Sequence, residues 1–225
     1  PDAERKAISA LRAEVDLDAS LDDLTGIAAL IRRASERSVK IVQNLKTFAR
    51  TTGEAVPTDL HAGLEETLTL LAPRLRTAEI SVDKSYGTLP AVTCRAGEIN
   101  QVFLNLVVNA VQALESQAEP PRPRKIVIET FQNGEMAEVA VTDNGPGVSP
   151  ALERRIFDPF FTTKPPGQGT GLGLSISNDI VRKHGGTLHL ERPPEGGARL
   201  VLRLPATRPA PPPSVPRGAP APPSV

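Results

Sequence analysis

The chain has one cysteine, no excess of either charge and no long apolar run. Cys94 stands alone among 225 residues, which excludes an internal disulfide framework and any zinc site built on cysteines, and fits a reducing compartment. Lysine plus arginine and aspartate plus glutamate balance at 26 each. Without a net field to concentrate a polyanion, general binding to nucleic acid or to an anionic membrane surface is not expected. No stretch reaches the ~18 consecutive apolar residues of a transmembrane helix, and no charged segment leads into an apolar one at the start. The chain as it stands is expected to be soluble. It opens with Pro1, so it is expected to be a piece of a longer protein whose sensor or membrane anchor would lie upstream. A hydrophobic content of 39% is enough for one domain with a core and an accessory element, but not comfortably for two domains.

Residues 22–50 lack proline and carry Leu24, Ile27, Ile31, Ala34, Ser38, Ile41, Leu45 and Phe48 at alternating spacings of three and four. That is a heptad seam, and it predicts a long helix burying a narrow stripe against other helices. The helix either packs on the domain that follows or forms half of a helical hairpin that dimerises into a four-helix bundle. After a turn-rich stretch at 51–58, Leu60, Leu64, Leu68, Leu71 and Leu75 predict a second helix that Pro73 should kink or end. A short strand is expected at 80–84, an amphipathic helix at 97–115 and a proline-rich break at 120–123. Two antiparallel strands at 125–131 and 136–142 should be joined at Asn133 and Gly134. A glycine-rich region then leads to a helix at about 171–184, and strands at 187–192 and 198–204 flank a turn at 193–197. Hairpin connections and the order of elements argue for an α+β sandwich, a mostly antiparallel sheet with helices on one face. The last 21 residues hold nine prolines and no acidic residue, a composition that cannot bury a core. The expected organisation is a linker remnant at 1–21, a bundle helix at 22–53, a globular domain at 57–205 and a proline-rich tail at 206–225.

Four segments carry candidate chemistry. On the helix at 97–115, Gln101, Asn105, Asn109 and Gln112 line up beside an apolar face of Ile99, Val102, Phe103, Leu106, Ala110 and Ala113. Asparagine is a poor helix-interior residue, so two of them one turn apart suggest work at the edge of the core, or loop capping. Asp143-Asn144-Gly145-Pro146-Gly147 follows a predicted strand, putting a carboxylate at a strand end beside glycines that admit a close approach; alone, it is only a good turn. Residues 157–164 gather Phe157, Phe160 and Phe161 with Thr162, Thr163 and Lys164 in a loop, which suggests a flap docking by hydrophobic contact. Gly169, Gly171 and Gly173 run directly into a helix, where backbone amides and the positive helix end suit phosphate. No Gly-Lys-Ser/Thr follows, so this is not a Walker A loop.

Together and in this order, the four segments resemble the N, G1, F and G2 boxes of the Bergerat-fold ATP-binding domain of sensor histidine kinases, whose superfamily includes type II topoisomerase, Hsp90 and MutL ATPases. SERSVKIVQNLKTFAR, at 35–50, is similar to the second helix of the kinase dimerisation hairpin, so the likeness spans about 22–204. The resemblance implies ATP and Mg²⁺ as ligands, with Asn109 as the metal ligand and Asn105 supporting it one turn earlier. It implies Asp143 as acceptor for the adenine amino group, with Gly145 and Gly147 admitting the base. A lid at 157–169 would bring Lys164 to the phosphates, with Phe160 and Thr163 beside the nucleotide. Gly169, Thr170, Gly171, Leu172, Gly173 and Leu174 would wrap the phosphate tail. Hydrolases of the superfamily carry a glutamate where this chain has Asn105, and an amide cannot serve as a general base. Phosphoryl transfer to an external nucleophile is therefore expected over hydrolysis.

The chain departs from the family in one respect. The family's phosphoacceptor is a histidine followed by an acidic residue, and none of His61, His184 and His189 is so followed; each is expected to be structural. The acceptor helix is therefore expected upstream of Pro1, and the fragment should bind ATP without phosphorylating itself. The resemblance further implies a response-regulator receiver domain as partner, homodimerisation through the heptad helix, and a cytoplasmic catalytic portion in a bacterium, with any membrane attachment upstream. Two other readings stay open: a silent module that holds ATP as a structural ligand, and an ATPase driving a conformational change.

Overall fold

The computed structural model describes residues 54–117, 122–164 and 169–206, together with Asp2, Arg5, residues 23–28 and Ile31. Of the expected bundle helix, residues 23–28 and Ile31 are helical, with Leu24, Ile27 and Ile31 exposed. The rest of that helix, and the expected tail beyond Ala206, lie outside the described residues.

The domain begins with a three-residue strand, β1 (Val56–Thr58), followed by α1 (Leu60–Thr77). Asp59 starts α1 as its N-cap, its carboxylate accepting the His61 N–H at 2.9 Å. Contrary to expectation, Pro73 neither ends nor breaks this helix. Proline removes one backbone bond, yet the turns on either side are held from outside. Leu71 and Leu75 are buried in the core, and Arg74 grips Glu115 through two bonds of 3.1 and 2.6 Å. The next elements are β2 (Ser81–Tyr86), β3 (Val92–Cys94) and α2 (Ala96–Glu115). Strands β1 and β3 pair antiparallel as a separate two-stranded sheet, with Pro57 opposite Thr93. Sequence periodicity missed both, because three residues are too few to display an alternation.

The remaining elements are β4 (Lys125–Asn133), β5 (Met136–Asp143), two short 3-10 turns (Pro150–Leu152 and Arg155–Phe157), α3 (Gly173–Lys183), β6 (Thr187–Glu191) and β7 (Ala198–Pro205). The main sheet runs β2-β4-β5-β7-β6. Strand β2 is parallel to β4 and the other pairs are antiparallel. The β4–β5 turn falls one residue later than expected: Asn133 pairs with Met136, and Gly134, at φ +60°, opens the turn.

Alternation along β5 puts Ala137, Val139, Val141 and Asp143 on one face. That face meets the helices: Ala137, Val139 and Val141 join Phe103, Leu106 and Leu114 of α2 in a single buried core. The opposite face of the sheet is polar, with Arg199 pairing to Glu129 and Glu191, and Arg203 to Glu138. The register also places a carboxylate at the edge of the sheet. Asp143 ends the central strand β5 with Ile126 and Ala198 as its cross-strand neighbours, so its carboxylate emerges from the core side at the rim of the sheet.

All three histidines are engaged within the domain. His61 stacks on Tyr86 at 4.7 Å between ring centres, its Nε2 lying 2.8 Å from Thr130 Oγ1. His184 Nδ1 lies 2.8 Å from the Ile180 carbonyl while Nε2 accepts the Arg95 N–H at 3.2 Å. His189 pairs with Glu191 at 3.0 Å.

Candidate functional site

Helix α2 is the spine of the site. Its apolar face is sunk in the core, so the amide side chains beside that face are fixed at its edge, and each of the other three segments meets one of them or a close neighbour. Asn105 donates from Nδ2 to the Gly173 carbonyl at 3.1 Å and to Ser177 Oγ at 3.0 Å. Ser177 is fully buried and in turn donates to the same carbonyl at 2.8 Å. Asn105 thus clamps the first turn of α3. Replacing it with alanine is expected to cost about 1–2 kcal/mol, read as a shift of the urea midpoint, because Ser177 and Gly173 lose a partner in a half-buried setting.

Two turns further along α2, Lys164 Nζ donates to Gln112 Oε1. Burial pushes the Lys164 ammonium down from its ordinary value; nearby Arg74 adds to this, while Glu115 opposes it. The Lys164 N–H is held by Thr162 Oγ1 at 3.2 Å. Next to Gln112 on α2 is Ala113, against which the loop after Asp143 closes. A Cβ on Gly145 would stand 3.4 Å from Ala113 Cβ and 2.9 Å from Asp143 Oδ1.

Asp143 is only 6% exposed. Desolvation raises its carboxyl from 3.8 to about 6, against the backbone amides of Gly145 and Ala198, which favour the ionised form. The Gly145 N–H bonds Oδ1 at 2.9 Å. A buried carboxylate at a sheet rim has more lone pairs than these main-chain amides fill, and is suited to accept a further hydrogen bond from a ligand.

The start of α3 supplies a complementary charge. Its N-cap, Leu172, makes no side-chain capping bond, so the first-turn amides are available to an anion. Thr170 Oγ1 accepts the Leu172 N–H at 3.3 Å, and Ser175 Oγ donates to the Leu172 carbonyl at 3.0 Å. Gly171, at φ +66°, lies directly on the backbone of Phe160, where a Cβ would come within 2.3 Å of the Phe160 carbonyl carbon. Leu174 is half-buried against the core.

The flap expectation needs correction ring by ring. Phe157 packs against the core, and Phe161 lies under Arg155, whose guanidinium carbon is 4.5 Å from the ring centre. Phe160, in contrast, turns its ring to solvent at 71% exposure with a backbone φ of +65°. Packing of Gly171 on its main chain fixes that posture. Thr163 is exposed and makes no hydrogen bond among the described residues.

Residues 95–208 match the family of histidine kinase-, DNA gyrase B- and HSP90-like ATPases. The chain belongs to this family. Its relatives place it on the histidine kinase side. It is 41% identical over 180 residues to the two-component sensor PprA of Pseudomonas aeruginosa, a match covering 76% of this chain and 19% of PprA. With the histidine-protein kinase AtoS of Escherichia coli the figures are 34% over 169 residues, 74% and 26%. The chain therefore spans well under a third of the length of these relatives. The catalytic domain of histidine kinase ThkA superposes with a TM-score of 0.59 at 30% identity, covering 68% of this chain and 96% of that one. Full-length ShkA in complex with AMPPNP gives 0.63 at 26%, covering 80% and 38%. The globular part of this protein is thus the ATP-binding catalytic domain of a sensor histidine kinase.

Ser177 and Ala113 were not expected at the site, nor was Gly197, where a Cβ would stand 1.9 Å from the main-chain oxygen of Asp143. Ser177 alone left a trace in the sequence, standing four residues after Gly173 as a small polar residue in an amphipathic helix.

Proposed function

We propose that this domain binds Mg²⁺-ATP and passes the γ-phosphate to a histidine outside this chain, from which it moves to an aspartate of a response-regulator receiver domain. The observation that carries this reading is the state of Asn105. The residue where a hydrolase of the superfamily would need a carboxylate to activate water is an amide, and its nitrogen is already committed to Gly173 and Ser177. An amide so held takes no proton from water, which favours transfer over hydrolysis. Phosphoryl transfer then rests on positioning and charge. Asp143 would hold adenine, the α3 amides and the glycines at 169, 171 and 173 the phosphates, and Lys164 would offset their charge.

Asn109 suits the metal. It is half-buried between Asn105 and Gln112, and unlike them it makes no hydrogen bond among the described residues. No group of three or more His, Cys, Asp or Glu side chains suited to a metal occurs among those residues. A Mg²⁺ ion would therefore take Asn109 Oδ1 and draw its other ligands from phosphate and water, its usual mode in nucleotide sites, where it offsets charge developing on the phosphates.

In the longer protein, residues 22–53 would contribute to a dimerisation bundle whose acceptor helix precedes Pro1, while 57–205 form the catalytic domain and 206–225 a tail. A cytoplasmic position for the catalytic domain follows from the same reading, as does contact with a receiver domain of the kind supported by ThkA, a relative solved in complex with the response regulator TrrA.

The test is direct. Calorimetry with ATP and ADP, with and without Mg²⁺, should register binding that Asp143→Ala removes, while the chain alone releases negligible phosphate. Adding a separate dimerisation hairpin carrying the acceptor histidine should yield acid-labile phosphohistidine. Rapid steady hydrolysis by the chain alone would instead favour the motor ATPase reading.

A further inference from the structure

The sequence groups Gln112 with the amides of α2 but gives it no role, and the tertiary structure puts it in contact with the Lys164 ammonium. We infer that Gln112 is a positioning residue that holds the Lys164 ammonium at the amide-bearing edge of α2, next to Gly169 in the loop that leads to α3, without neutralising it. This inference rests on the nucleotide reading proposed above.

Three features support it. Lys164 is fixed along its whole length. Its N–H is bound by Thr162 Oγ1, its stem lies against Gly169, where a Cβ would meet Lys164 Cδ at 3.3 Å, and its tip meets Gln112. An exposed lysine ordinarily spreads its four-carbon stem over many rotamers, and here that freedom is removed before any ligand arrives. Gln112 also stands one turn from Asn109, which makes no hydrogen bond among the described residues, so the ammonium it holds is kept within a turn of the proposed metal ligand.

The chemistry of the acceptor matters too. A carboxylate at this position would pair with the ammonium and cancel its field, whereas an amide oxygen bonds it and leaves the full positive charge for an incoming polyanion. The local carboxylate, Glu115, is drawn off in the same way. Arg74 takes both of its oxygens, and this pairing keeps the Glu115 carboxyl below its ordinary value. Arg74 therefore leaves Lys164 free of a strong anionic partner among the described residues.

The experiment is a double-mutant cycle on ATP binding by the full chain in Mg²⁺, at low and high salt, with Gln112→Leu, Lys164→Ala and the pair. Gln112→Leu removes the acceptor at similar volume, and Gln112→Glu keeps an acceptor but adds the charge. If Gln112 acts through Lys164, Gln112→Leu weakens ATP about five- to tenfold at low salt, and adding it to Lys164→Ala produces no further loss. Gln112→Glu should be at least as harmful as Gln112→Leu, although its acceptor is intact. Salt should erase most of the difference between the unaltered chain and each variant.

Full additivity of the two substitutions would overturn the inference, as would a Gln112→Glu variant that binds ATP normally. Melting temperatures of all variants within a few degrees of the unaltered chain are expected, and a Gln112→Leu loss that tracks unfolding would count against a positioning role. The Asp143→Ala control separates the two levels of argument. ATP binding that depends on Asp143 but not on the Gln112–Lys164 pair would defeat this inference alone, while no ATP binding by the unaltered chain would defeat both.

Discussion

Asp143→Asn is expected to melt at a higher temperature than the unaltered domain at pH 7 and to bind ATP about a hundredfold more weakly. Both effects come from one carboxylate. Burial moves its pKa from 3.8 to about 6, which corresponds to about 3 kcal/mol of native-state cost for keeping it ionised at neutral pH. The sign follows from the direction. A carboxyl raised on folding favours the folded state while it is protonated, so its contribution is complete below about pH 3.8 and is lost as pH climbs through about 6. Asparagine keeps an oxygen for the Gly145 N–H and removes the buried charge, so about 1–3 kcal/mol of stability should return, and the gain over the unaltered chain should vanish near pH 3.8.

Binding runs the opposite way. In the proposed function an adenine amino group would donate to the ionised carboxylate, and a hydrogen bond to a charged group is worth about 1.5–3 kcal/mol. Affinity for nucleotide should therefore fall as pH drops through 6, by about tenfold between pH 7 and 5, since only the ionised fraction is competent. Calorimetry with ADP on both proteins checks this. Equal pH dependence in Asp143→Asn would assign the effect to the phosphates instead.

Gly197→Ala is expected to cost about 3 kcal/mol or more in stability and to remove nucleotide binding with it. Gly197 sits in the β6–β7 turn at φ +91°, and a Cβ there would lie 1.9 Å from the main-chain oxygen of Asp143. Gly147 interlocks from the other side: at φ +74°, its Cβ would fall 2.6 Å from the Gly197 carbonyl oxygen. Neither neighbour is a flexible side chain, so a methyl group must push two backbone segments apart at the point that aims Asp143. Gly134→Ala is the control. Its φ of +60° is equally left-handed but nothing lies within 4 Å of its Cβ position, so only the local conformational cost of about 1–2 kcal/mol applies. Urea midpoints for the two variants separate steric interlock from backbone preference. Equal losses would mean that the contact with Asp143 contributes nothing.

These glycines mark a difference between what was legible and what was not. The resemblance implied that glycine at 145 and 147 would let a base approach. In the folded domain both are also required by the protein itself, Gly145 by Asp143 and Ala113, and Gly147 by Gly197. The distinction could not be drawn from DNGPG alone, because Gly197 lies 50 residues further on and is brought to the loop only by the pairing of β5 with β7.

Much of the rest followed from local chemistry. Period-two alternation marked β4 and β5, helical spacing of apolar residues marked α1 and α2, and strand-ending Asp143 and the glycines before α3 were visible as short motifs, since each depends on neighbours close in sequence. Tertiary structure alone decided four matters. It carried α1 through Pro73 by anchoring the last turn on Glu115, and it paired two strands too short to be seen. It turned Phe160 outward by laying Gly171 on its backbone. It also gave the amides of α2 different surroundings: Asn105 clamps α3, Gln112 holds Lys164, and Asn109 and the buried Gln101 Oε1 find no hydrogen-bond partner among the described residues. The reason is the same in each case: local sequence sets which conformations a segment favours, while contacts between segments far apart in the chain set which partner each polar group finds, and in a buried site the partner determines the chemistry.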